Sequence, residues 1–220
     1  MRIIAIDTSD SIASWVGIED GKVVDPRQTE KPRQHDEALA DGVQRWIKKH
    51  GWTNLDAVAV VVGPGGFTGL RVGVAFATGF AAAKGIPVIP VSSYELLAAR
   101  APEAKKIWAL AFAGRGEVRG KLMSGGKNPE PLDEVRVFTL ENPFIPEYDV
   151  LPLGAGYERY KKEIDEFLKS KRLDKMDLIS FPEALAFAAN FAYKKERFFS
   201  PLEIDVDYGV EFRPTVGKKK

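Results

Sequence analysis

Two short stretches carry residue types that could do chemistry. The first is Gly63-Pro64-Gly65-Gly66-Phe67-Thr68-Gly69-Leu70-Arg71, which follows an apolar run over 57–62 and opens a small-residue helix over 68–84. A strand, a glycine turn and a helix in succession aim unpaired N–H groups beyond the sheet edge, and an anion could sit on the amides of Gly66 to Gly69. The second is Asp7-Thr8-Ser9, closing a buried-strand pattern over 3–7. A carboxylate beside a hydroxyl at such a turn could orient a metal, a water or a phosphate. The same groups could instead satisfy turn amides. Asp7, Thr8, Ser9, Gly65 and Gly66 are therefore the candidate nucleotide- or phosphate-binding residues.

Several familiar chemistries are absent from the pattern. Gly69 is followed by Leu70-Arg71, so the loop lacks the lysine of a P-loop. Gly63 and Gly65 are followed by Thr68 where a dinucleotide-binding fingerprint needs glycine, and no acidic residue ends the next strand, 88–91. His35 and His50 cannot form a His-x-x-x-His metal pair, because Leu39 stands where the second histidine would be. No Gly-x-Ser-x-Gly elbow occurs, and with 0 cysteines there is neither a thiolate nucleophile nor a disulfide. No catalytic residue and no metal site are expected.

The helix after the glycine turn carries two ridges of small residues, Gly69, Gly73 and Ala77 on one and Ala75, Gly79 and Ala83 on the other. Glycine inside a helix is less stable than alanine by about 0.8–1 kcal/mol. Close approach of another backbone would offset that, from this chain's own sheet or from a partner. The helix over 35–50 is amphipathic, with Leu39, Val43 and Trp46 on its apolar face. The candidate interface residues are thus Leu39, Val43, Trp46, Gly69, Leu70, Gly73, Val74, Ala75, Ala77 and Thr78. On this reading Gly73→Leu or Ala75→Arg would leave the monomer folded and abolish association.

The elements that must position these residues read β-β-β-α-β-α-β-α over the first hundred residues. Strands are expected at 3–7, 11–18, 22–25, 57–62 and 88–91. Helices are expected at 35–50, 68–84 and from a Ser92/Glu95 capping box to about 101. The polar stretch 26–32 reads as a connection. The second half restarts with strands at 107–113 and 117–123 around Gly114-Arg115-Gly116, then strands at 135–140 and 148–153. A helix at 157–168 and a second capping box, Ser180/Glu183, opening a helix over 182–197 complete it. Residues 200–216 read as an extended tail.

Two successive three-strand meanders followed by helices predict a duplicated α/β architecture, the two-lobed plan of the actin-like ATPases (ASKHA fold), with lobes at 1–102 and 103–220. A working ATPase of that plan needs a carboxylate ending the first strand of the second lobe. This chain has Phe112-Ala113-Gly114-Arg115 there, with no acid before Glu117. At 220 residues, 45% of them apolar, the chain can build a sizeable core. Its net charge of +1 is spread evenly, and no basic domain suited to autonomous nucleic-acid binding is visible. The N-terminus runs straight into a strand, and charges interrupt every long apolar stretch. A cytoplasmic protein with no signal peptide and no membrane span is expected.

Four stretches, in their order and spacing, resemble the TsaB (YeaZ) family. They are Ile4-Ala5-Ile6-Asp7-Thr8-Ser9, His35-Asp36-Glu37, Gly63-Pro64-Gly65-Gly66-Phe67-Thr68-Gly69-Leu70-Arg71-Val72-Gly73 and Pro90-Val91-Ser92-Ser93. The second lobe departs from the family, having Phe112-Ala113-Gly114-Arg115 before Gly116-Glu117-Val118 where many members carry Asp-Ala-Arg. The resemblance implies a non-catalytic subunit of the bacterial machinery that makes N6-threonylcarbamoyladenosine at position 37 of tRNA. It implies pairing with the catalytic, metal-holding paralogue TsaD, joined by the ATPase TsaE. It implies a homodimer when the chain is alone, contact with tRNA only through the complex, and no cofactor beyond weak ATP or ADP binding. The interface it implies uses the two first-lobe helices. The competing reading from Asp7-Thr8 and the glycine turn is a small actin-like ATP-binding enzyme, an ATPase or kinase.

Overall fold

The computed structural model of the chain describes residues 1–29, 35–114, 116–173 and 176–209, with the backbone alone at 35–38 and 170. Two sheets organise it. The first has the order β3-β2-β1-β4-β5, built from β1 (Arg2–Asp7), β2 (Ser14–Glu19), β3 (Lys22–Gln28), β4 (Ala57–Gly63) and β5 (Val88–Ser92). The meander β1-β2-β3 is antiparallel, and β4 and β5 add in parallel on the other side of β1. The second sheet has the order β8-β7-β6-β9, from β6 (Lys106–Gly114), β7 (Glu117–Ser124), β8 (Arg136–Thr139) and β9 (Leu151–Leu153). It repeats the antiparallel meander and the parallel fourth strand. The second lobe is thus the first without a counterpart of β5, which is the duplicated actin-like plan.

Period-two alternation explains why the first sheet is covered on both faces. Ile4, Ile6, Val58 and Val60 face one way, onto Leu39, Val43 and Trp46 of α1 (His35–His50) and Val74, Ala77 and Ala81 of α2 (Phe67–Lys84). Ile3, Ala5, Ala57, Ala59 and Val61 face the other way, onto Leu96 and Ala99 of α3 (Ser93–Ala99) and onto α6 (Phe181–Lys194). Each large aliphatic side chain buried in this way contributes about 1.5–3 kcal/mol. Small alanines at Ala184, Ala188, Ala189 and Ala192 let α6 lie close on the sheet. In the second lobe Trp108, Leu110, Val118 and Phe138 pack on α4 (Ala155–Arg159) and α5 (Lys161–Leu168) through Tyr157, Ile164 and Leu168. Tyr94 and Ala98 of α3 pack on Ile107, Ala109 and Met123, so α3 is shared between the lobes.

Several sequence expectations are corrected here. A boundary at 102 separates the sheets but not the lobes: α6, although late in the chain, is part of the first lobe's core. β2 starts at Ser14 rather than at 11. β3 runs on through Pro26 to Gln28, because an edge strand tolerates the missing amide. The helix expected over 157–168 is broken at Tyr160, whose backbone (φ −123°, ψ 37°) is not helical. Both expected capping boxes form, at Ser92/Glu95 and Ser180/Glu183. A third, Ser200/Glu203, opens a short 3₁₀ turn inside the stretch read as an extended tail.

Candidate functional site

The structure brings Asp7, Thr8 and Ser9 directly against the glycine turn. Asp7 and Thr8 are buried, 2% and 0% exposed. The Asp7 Oδ1 accepts the Ser9 N–H at 2.8 Å, and the Ser9 carbonyl accepts the Gly66 N–H at 2.8 Å. The Thr8 hydroxyl donates to the Gly69 carbonyl at 2.7 Å. Gly65 and Gly73 are glycine for a steric reason: a Cβ at Gly65 would lie 2.7 Å from the Ser9 carbonyl oxygen, and one at Gly73 would run into the Thr8 hydroxyl. These contacts lock the end of β1 onto the start of α2. Gly66 caps α2 without a side-chain hydrogen bond, and its first turn carries no acidic residue.

Two groups that sequence reasoning missed face the same region from elsewhere. Arg119 of β7 is 7% exposed, and its Nε has no hydrogen-bond partner among the described residues. Tyr94 of α3 is buried, and burial together with the Asp207 carboxylate pushes its hydroxyl up to about 12, against the opposing charge of Arg119. Nothing in their local spacing marks either residue: Arg119 sits in an ordinary alternating strand, and only the fold places it beside the turn. In the second lobe the structural counterpart of the glycine turn is Gly154 to Gly156, where a Cβ would crowd the carbonyls of Leu110 and Ala111. Phe112, on the strand that corresponds to β1, is exposed and lies 6.0 Å from the Tyr160 ring. Arg115 lies outside the described residues, as do 210–220. Among the described residues no three His, Cys, Asp or Glu side chains converge to hold a metal ion.

The candidate interface residues divide into two groups. Leu39, Val43, Trp46, Gly69, Leu70, Gly73, Val74 and Ala77 are buried in this chain's own core. Trp46 is not a free anchor either, since its indole N–H donates to the Asp25 carbonyl at 2.8 Å. These eight are corrected from interface to core. The amphipathic pattern that suggested a partner is answered by the first sheet. The expectation that Gly73→Leu would leave the monomer folded fails with them. Ala75 and Thr78 stay on the outer face of α2, the first exposed and the second half-buried, next to exposed Gly79, Ala82 and Ala83. A Cβ added at Gly79 would meet nothing within 4 Å. The two small-residue ridges therefore point in opposite directions: one is filled by Thr8 and β1, the other is uncovered. The side chains of His35, Asp36 and Glu37 lie outside the described residues.

Comparison with known proteins places this geometry. Residues 23–197 match the family described as TsaD: tRNA N6-adenosine threonylcarbamoyltransferase. The chain is 35% identical over 123 residues to the tRNA threonylcarbamoyladenosine biosynthesis protein TsaB of Escherichia coli K12, a match covering 54% of this chain and 53% of that one. It is 27% identical over 226 residues to the protein of the same name from Haemophilus influenzae, covering 94% and 93%. The E. coli match thus spans about half that relative's length, and the H. influenzae match nearly all of its own. Among solved structures, YeaZ from Pseudomonas aeruginosa superposes with a TM-score of 0.81 at 25% identity, over 94% of this chain and 99% of that one. No described helix is long and apolar enough to cross a membrane.

Proposed function

The chain belongs to the TsaB (YeaZ) family, within the wider family whose model matches residues 23–197, and from that premise we propose that it is a non-catalytic, cytoplasmic subunit of the machinery that installs threonylcarbamoyladenosine in tRNA. Its role is to present the outer face of α2 to the catalytic paralogue TsaD, with the ATPase TsaE joining the assembly and tRNA bound by the whole. Alone, the same face pairs two copies of this chain.

One observation carries this reading. Gly79 lies inside an 18-residue helix, is exposed, and has no neighbour that would resist a side chain. Its helix penalty of about 0.8–1 kcal/mol is uncompensated within the chain, unlike that of Gly73. Close approach of a second backbone along Ala75, Gly79 and Ala83 supplies the compensation. The Thr8 hydroxyl, engaged by the Gly69 carbonyl, supports a structural use of the β1 turn over a nucleotide-binding one.

The test is a tRNA modification assay with the paralogue and ATPase, with and without this chain, alongside calorimetry of the chain with ATP and Mg²⁺. The expected outcome is modification that depends on the chain, with ATP bound weakly or not at all and no turnover by the chain alone. Turnover by the isolated chain, lost in Asp7→Ala, would establish the enzyme reading instead.

A further inference from the structure

The chain does not leave the molecule after α6. Phe199 bridges to Val88 of β5, and Ile204 and Val206 pack on the α1–α2 side of the first lobe. The Asp207 N–H then donates to the Val62 carbonyl at 2.8 Å, so the segment runs along the end of β4. The Asp207 carbonyl lies against Gly63, where φ is +127° and any side chain would collide with it. Gly209 donates its N–H to the Asp207 Oδ1 at 2.7 Å, and this tight turn sets Gly209 between Pro64 of the first lobe and the guanidinium of Arg119 on the second. One segment of six residues therefore spans from lobe to lobe over Gly63 and Pro64, the first two residues of the glycine turn.

What holds its far end is a small stack at the surface. The Tyr208 ring stacks on Phe67 with centroids 5.0 Å apart, and its hydroxyl accepts the Arg71 Nε–H at 2.6 Å. The Arg71 guanidinium lies 3.9 Å from the Phe67 ring centroid and 5.5 Å from that of Tyr208. Phe67 and Arg71 are both exposed. Cation–aromatic contacts at exposed sites are weak enough to open and close thermally. The backbone contacts along β4 and the half-buried Ile204 and Val206 give the segment its course; the stack decides whether its end is down.

We infer that residues 204–209 form a strap that closes the cleft between the lobes over the Gly63-Pro64-Gly65 turn, with the Phe67–Arg71–Tyr208 stack as its latch. In the latched state Gly63, Pro64 and Arg119 are buried while Gly65 and Gly66 stay exposed, and a ligand reaches Arg119 and the Gly63 side of the turn only when the strap lifts. This goes beyond the subunit role proposed above and holds whether or not the outer face of α2 takes the catalytic paralogue, because the strap and latch contacts named above are made by residues other than Ala75 and Gly79.

Hydrogen exchange on the full chain tests it. The backbone amides of residues 63–70 are followed in the wild type, in Tyr208→Ala, in Arg71→Gln and in Leu202→Ala, a fully surface position beside the strap (95% exposed). The expected result is exchange at 63–70 about tenfold faster in Tyr208→Ala and raised in Arg71→Gln. Leu202→Ala should match the wild type, and β1 amides should be unchanged in all four proteins. Wild-type rates at 63–70 in Tyr208→Ala would overturn the strap. Should Tyr208→Ala fail to fold, Arg71→Gln decides alone, since Arg71 is exposed and no part of the core, and wild-type rates in that variant would overturn it equally.

Discussion

The two lobes share a topology and use it differently. In each, the first strand of a meander ends against a glycine turn that follows the parallel fourth strand: β1 against Gly63 to Gly66, and β6 against Gly154 to Gly156. In the first lobe the contact is polar and directional, Asp7 to Ser9, Ser9 to Gly66 and Thr8 to Gly69, and it launches an 18-residue helix. In the second the glycines pack on backbone carbonyls, the helix that follows is 5 residues long, and the corresponding strand end displays Phe112. One frame can thus keep a hydrogen-bonded joint in one copy and only a close-packed one in the other. The joint anchors the helix whose opposite face is uncovered.

The largest effect is expected at Gly73. Gly73→Leu drives a side chain into Thr8 and the end of β1. Overpacking a tight core commonly destabilises by about 1–3 kcal/mol or more, and with the fully buried Thr8 side chain in the way the expected outcome is insoluble or unfolded protein, read by circular dichroism. Thr8→Val is next. It keeps the shape and removes the second donor to the Gly69 carbonyl, which retains its place in the α2 hydrogen-bond ladder, so the loss is that of one hydrogen bond, about 0.5–1.5 kcal/mol. A urea midpoint should fall accordingly, and a null result would mean the joint is held by packing alone, as in the second lobe.

A smaller effect is expected in acid. Burial raises the Asp25 carboxyl, but hydrogen bonds from His50, Lys49 and Arg27 outweigh it and hold the group at about 2, below its ordinary 3.8. The depressed value means that Asp25 stabilises the fold above its unfolded pKa, and that this is lost as pH falls through about 2. Lys49 and Arg27 are more than half exposed, which limits the size of the effect. Asp25→Asn should flatten the decline between about pH 4 and 2 in thermal melts. The smallest stability change belongs to Ala75→Arg. On an exposed helix face it should stay within about 0.5 kcal/mol of wild type.

Much of the fold was legible in the sequence. Apolar runs at 57–62 and 88–91 and two capping boxes set the order of elements, because each is a local signal with a local cause. The site was half legible. Asp7, Thr8, Ser9 and the glycine turn were found and do meet. What stayed hidden was long-range. Amphipathicity shows that Leu39, Val43 and Trp46 must be covered but not by what, and the first sheet covers them. Gly73 and Gly79 look alike in sequence, yet one faces Thr8 and the other faces open space. α6 reads as part of the second lobe until the alanine face that lies on the first sheet is seen. Arg119 and Tyr208 gain meaning only when strands and tail are folded together.

In the proposed role the outer face of α2 is covered by the catalytic paralogue. Light scattering on a sizing column, with the two purified proteins mixed at equal concentration, tests it most directly. Wild type should co-elute with the paralogue, while Ala75→Arg, with an unchanged melting temperature, should elute apart from it. Co-elution of Ala75→Arg at wild-type strength would contradict the account.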